Sequence, residues 1–138
     1  MNRTDFQRLS RIRVAEARVL LDNEHLLGAY YLLGYAVESA LKACIAKQIR
    51  RYDFPDRQLV NDSYTHDLDK LLRVSGLKEL LDNDLKTDPD LDLSWVIVKD
   101  WSEQMRYETS ISPDIERPFY QAVTGRRSGI LPWLRKRW

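Results

Sequence analysis

The stretch LLGAYYLLGYAVESALKACIAKQIRR, residues 26–51, decides the fold. Ala29, Leu33, Ala36, Val37, Ala40, Leu41 and Cys44 recur at i, i+3, i+4 and i+7, the period of one helix face. Three of these are alanines, so a second helix can approach closely. Leu26–Ala46 is long and apolar enough to raise the question of a membrane span. Glu38 and Lys42 lie inside it, and each is costly at a bilayer centre. A buried amphipathic helix running from about Leu26 to Arg51 is therefore expected, with no membrane association.

Upstream, Thr4 can cap a first helix reaching about Asp22. Phe6, Leu9, Val14, Ala17, Leu20 and Leu21 gather on one face of it. Ile12, Ala15 and Val19 make a second stripe that can serve a partner chain. Downstream, residues 52–64 read as a loop, with Asp53, Pro55, Asn61, Asp62 and Ser63 as turn formers. Thr65 is placed to cap a short helix through Leu72. Ser75-Gly76 stops it, and Leu77–Leu85 forms another. Asp88-Pro89 is a helix start, and the expected helix runs to about Glu108 with Leu91, Trp95, Val98, Trp101 and Met105 inward. Ser112-Pro113 breaks it or marks a new start. A helix around Arg117–Thr124 follows, then a turn bracketed by Gly125 and Gly129, then a last short helix over Ile130–Trp138. No period-two pattern is long enough for a sheet. The expected fold is all-α: one domain, 1–138, an antiparallel up-and-down bundle of three or four long helices with short accessory helices.

Composition agrees with this. Hydrophobic residues are 43% and charged residues 31% of 138, enough apolar surface for one core. The net charge of +1 is unevenly spread: residues 61–116 carry −8 and residues 117–138 carry +6. The basic end holds Arg117, Arg126, Arg127, Arg135, Lys136 and Arg137 and can meet phosphates or an acidic partner, or be a solvated helix end. One cysteine, Cys44, excludes an internal disulfide. The opening residues MNRTDFQRLSRIR have no apolar core of the signal-peptide kind, and a cytoplasmic location is expected.

Few residues can carry chemistry. Glu38 sits on the flank of the second helix and needs a partner there. Lys42 at i+4 is one candidate and Arg106 on the late helix another, and a Glu38–Arg106 pair between packed helices is expected. His66 is the best candidate proton carrier, although it can equally bond a neighbouring carbonyl or carboxylate. Tyr107 points away from the core stripe. Two histidines and one cysteine give no recognised metal-ligand spacing, and no cofactor is implied. No Gly-rich phosphate loop is present.

Three segments in order give the chain a family likeness: AYYLLGYAVESALKACIA with Glu38, Leu41 and Lys42, then THDLDKLL with His66, then WSEQMRYE with Arg106 and Tyr107. Over roughly residues 5–137 the chain resembles the HEPN (higher eukaryotes and prokaryotes nucleotide-binding) family. The resemblance implies a helical bundle paired as a homodimer, a nucleotide or RNA ligand, and occurrence beside a nucleotidyltransferase or in toxin–antitoxin and defence systems. The RNases of that family use Arg-x(4–6)-His on a late helix, arginine for the scissile phosphate and histidine for the ribose 2′-hydroxyl proton. Two such motifs meet across the dimer. Here Arg106 matches, but no histidine follows it. The only literal match, Arg18 to His25, lies at the end of the first helix. A family tyrosine near the motif receives a nucleotide from a partner enzyme, which points to Tyr107. The expected function is thus a nucleotide- or RNA-associated binding and dimerisation module. The alternatives are a metal-independent RNase using Arg106, His66 and Glu38, and a structural helical adaptor. Convergence of those three residues in one pocket separates the first two from the third.

Overall fold

A computed structural model describes residues 1–50 and 53–138, and every described regular element is helical. Helix α1 is Arg3–Asp22 and α2 is Leu26–Gln48. The short helices α3 (Arg57–Ser63), α4 (Leu68–Val74) and α5 (Lys78–Leu85) follow. Next come α6 (Pro89–Lys99), a 3-10 turn (Glu103–Tyr107), α7 (Pro113–Thr124) and α8 (Ile130–Arg135). Two helices are long, rather than the three or four expected. At 11 and 12 residues, α6 and α7 are half the length of α2 at 23.

Local chemistry sets the starts. Asn2, not Thr4, caps α1: its side chain accepts from the Asp5 N–H and Asp5 accepts from the Asn2 N–H. Inside the expected loop, Asp56 accepts from the Gln58 and Leu59 N–H groups and nucleates α3. Asp67 caps α4, while Thr65 accepts the Asp67 N–H one step earlier. Gly76, at φ 76°, turns the chain after α4. Asp88 and Pro89 start α6, and Ser112 and Pro113 start α7 four residues before the expected Arg117. α2 ends at Gln48, short of the expected Arg51, because Ile49 turns to extended backbone as its C-cap; the loop assignment at Tyr52 falls outside the described residues.

α1 and α2 form the central hairpin, joined through Asn23–His25 with Glu24 in the left-handed region at φ 61°. Ala29, Ala36, Ala40 and Ala43 of α2 are fully buried, and Ser10 of α1 donates to the Ala36 carbonyl at 2.8 Å, so the two backbones lie close. On the other side of α2 lie α4, α7, α8 and the 3-10 turn. Leu68, Leu71 and Leu72 of α4, Phe119 of α7 and Ile130, Leu131 and Leu134 of α8 close the core. The basic end is built into this structure. The Trp133 indole donates to Asp84 at 2.8 Å, Arg137 stacks on Trp133 at 3.8 Å, and Arg11 stacks on the buried Trp138 at 5.0 Å. Ile12 and Val19 remain 42% and 62% exposed, so the second stripe of α1 is uncovered. Among the described residues, no helix is long and apolar enough to cross a membrane.

Candidate functional site

Glu38 lies in the middle of α2 and is 5% exposed. A carboxylate at such depth needs hydrogen-bond donors, and two reach it. Lys42, one turn on, donates to Oε1 at 2.8 Å, and His66 Nδ1 lies 2.8 Å from Oε2. His66 comes from the link before α4, where the Thr65 and Asp67 turns fix the backbone. A carboxylate only accepts, so Nδ1 carries a proton, and in the neutral ring Nε2 keeps its lone pair. The imidazole is 44% exposed, and Nε2 is the ring nitrogen left for a ligand.

Aromatic rings surround this pair. Tyr35, one turn before Glu38, meets the His66 ring edge-on at 5.7 Å and Trp101 at 5.1 Å. Tyr31 meets Tyr35 at 5.0 Å, with their hydroxyls 3.4 Å apart. Trp101, 3% exposed, lies flat on Gly34: a Cβ there would stand 1.8 Å from the indole Cε2. The indole N–H is buried without a partner. Burial foremost, then the Tyr31 hydroxyl and the Glu38 charge, push the Tyr35 phenol well above its ordinary range, and Arg106 opposes them.

Arg106 is not on a long helix. α6 ends at Lys99, and the 3-10 turn carries Arg106 out to the surface, where its guanidinium stacks on Tyr107 at 4.8 Å. The Tyr107 hydroxyl, and after it that of Tyr31, raise its pKa. The expected Glu38–Arg106 ion pair is therefore absent; Lys42 and His66 occupy both carboxylate oxygens. Among the described residues, Arg106, His66 and Glu38 line no common cleft; they are joined only through a line of neighbours that runs from Arg106 through Tyr31, Tyr35 and His66 to Glu38. Glu103 reports the same proximity. A hydrogen bond from the backbone is the main cause that holds its carboxyl below the usual range, and His66 and Arg106 both add to it.

An open cleft of about 390 Å³ adjoins His66, lined by Thr65, Asp67, Lys99, Asp100, Trp101, Ser102 and Glu103. Its three carboxylates can accept hydroxyl or amino protons but repel phosphates. Arg106 on the neighbouring turn is the group suited to a phosphate. No family model, curated protein or solved structure matches this chain.

Arg18 and His25 stand apart: Arg18 reaches the Tyr120 hydroxyl at 3.4 Å, and His25 precedes α2, about 20 Å along the helix axis from Glu38. Among the described residues, no group of three or more His, Cys, Asp or Glu side chains is placed to hold a metal ion. Tyr107 is 70% exposed, as its position off the stripe predicts. Sequence reading missed Tyr31, Tyr35 and Glu103. The signal for the tyrosines was present, because Tyr31, Tyr35, Glu38 and Lys42 follow one another at i+3 and i+4 spacing.

Proposed function

We propose that this chain is a HEPN-like module that binds a nucleotide, free or within RNA, at the His66 cleft and acts as a homodimer. The observation that carries the reading is the buried Glu38 carboxylate holding His66 by Nδ1, which leaves Nε2 for a ligand, with Glu103 near both His66 and Arg106. In this reading Arg106 takes a phosphate, the Nε2 of His66 takes a ribose hydroxyl proton in a hydrogen bond, and the cleft carboxylates accept from sugar or base. A purely structural adaptor has no need of an oriented, half-exposed histidine backed by a buried carboxylate. The uncovered Ile12–Val19 stripe of α1 supports self-association, for which about 1,000 Å² of buried surface is needed. A nucleotidyltransferase partner and a place in a toxin–antitoxin or defence system follow from the resemblance alone.

The orienting dyad also favours a second reading, metal-independent RNA cleavage. His66 Nε2 would take the 2′-hydroxyl proton, the 2′-oxygen would bond to phosphorus, and the bond to the 5′-oxygen would break, that oxygen taking a proton from water. Arg106 would hold the phosphoryl oxygens. The test is fluorescence anisotropy with labelled mononucleotides and short RNA, alongside gel analysis of the same RNA. Binding that falls about tenfold or more with Arg106→Ala or His66→Ala supports the module. Cleavage lost with both changes moves the protein to the enzyme reading. Binding indifferent to both overturns the site, and a monomer by light scattering at micromolar concentration overturns the dimer.

A further inference from the structure

At the opposite end of α6 from His66 lies a second cleft, of about 300 Å³, between the end of α5, the start of α6 and α8. Arg126, Arg127, Lys136 and Arg137 line it, with Asp84 and Asp88. Both acids are engaged. Asp84 accepts from Trp133 at 2.8 Å and from Arg137 at 3.4 Å, and Asp88 accepts from the Leu91 N–H at 3.0 Å. Among the described residues, Arg126, Arg127 and Lys136 form no ion pair, and all three are exposed.

The backbone fixes where the two arginines stand. They occupy the turn between Gly125 and Gly129, where the Gly129 N–H donates to the Gly125 carbonyl at 2.9 Å. A Cβ on Gly129 would lie 2.5 Å from Gly125 backbone atoms, and one on Gly125 would lie 2.7 Å from the Gln121 carbonyl. Only glycine fits at either place. The turn is thereby held tight, and Arg126, Arg127 and Lys136 all line the cleft.

We infer that this cleft is a phosphate-backbone site, taking consecutive phosphates of a nucleic acid independently of the His66 cleft. Guanidinium forks match phosphate oxygens in pairs, and the ammonium adds a point charge. An acidic protein surface fits less well. Protein interfaces are anchored by exposed apolar and aromatic groups, whereas the Leu91 and Trp133 that line this cleft are 4% and 8% exposed. Separation from the first site is structural: the 11 residues of α6, about 16 Å, lie between, and Asp90 and Asp92 on that helix repel a strand running directly across.

The test uses the full chain and a labelled 20-nucleotide single-stranded RNA, with affinity measured from low to moderate salt. Three phosphate contacts predict that Arg126→Ala, Arg127→Ala and Lys136→Ala together lower the slope of log affinity against log salt by about 2 and weaken low-salt binding about tenfold or more. Circular dichroism and melting should be unchanged, since the three side chains are exposed. An unchanged slope in the triple variant overturns the proposal, as does wild-type RNA binding too weak to measure at low salt. So does displacement of RNA by poly-glutamate as readily as by unlabelled RNA. Arg106→Ala runs in parallel: RNA affinity lost there alone removes this cleft and leaves the His66 reading standing, whereas loss in the triple variant alone does the reverse.

Discussion

Glu38 provides the sharpest test of how this molecule is held together around its candidate site. Glu38→Ala removes the acceptor of two charge-assisted bonds, to Lys42 and His66, both 2.8 Å. Each such bond contributes about 1.5–3 kcal/mol where water is excluded. Lys42 and His66 are 19% and 44% exposed, so both regain water when the carboxylate goes, and the expected loss is about 2–3 kcal/mol. His66→Ala leaves Glu38 its lysine and should cost about 1 kcal/mol. In the double variant the His66 bond is counted once, so the cycle should return a coupling of about 1 kcal/mol. Urea denaturation of the four proteins measures it. A parallel cycle pairing Glu38 with Arg106 should show none, because the two do not touch. Nitrogen-15 spectra of His66 should show the Nδ1-protonated tautomer, lost in Glu38→Gln. Strict additivity of Glu38→Ala and His66→Ala, or a coupling of Glu38 to Arg106 instead, would refute the arrangement.

Two further outcomes follow from buried groups. Gly34→Ala places a methyl 1.8 Å from Trp101 with no flexible side chain to give way, so the indole must leave its seat. The expected cost is about 3 kcal/mol or more, with a red-shifted tryptophan emission, and an unshifted spectrum at native stability would contradict the packing. Glu116 is 1% exposed with Oε1 unpartnered, and burial raises its pKa against the opposing pull of Arg117. A carboxyl protonated more readily in the folded state loses stability for the fold as pH rises from its unfolded pKa through its folded one. Glu116→Gln should therefore stabilise the protein at pH 7, a gain that fades once the pH falls below the ordinary carboxylate pKa of about 4.3. A melt that shows no gain at pH 7 would mean the carboxylate has found a partner.

The class of the fold is legible in the chain's local signals alone. The period of α2, the small residues on it, the Asp88-Pro89 and Ser112-Pro113 starts and the Gly125–Gly129 turn are local signals, set by side-chain spacing and backbone freedom, and each appears where its chemistry puts it. The sequence also singled out Glu38, Lys42 and His66. The 3-10 turn illustrates what was not legible. An apolar spacing that runs from Leu91 to Met105 continues through Trp101, yet the helix stops at Lys99 because Trp101 seats against Gly34, a contact far away in sequence. That single seat takes Arg106 off the late helix and leaves Glu38 to His66. Only the tertiary structure decides such pairings. A buried carboxylate takes whichever cation the packing brings within hydrogen-bond reach, and spacing along the chain cannot say which that is.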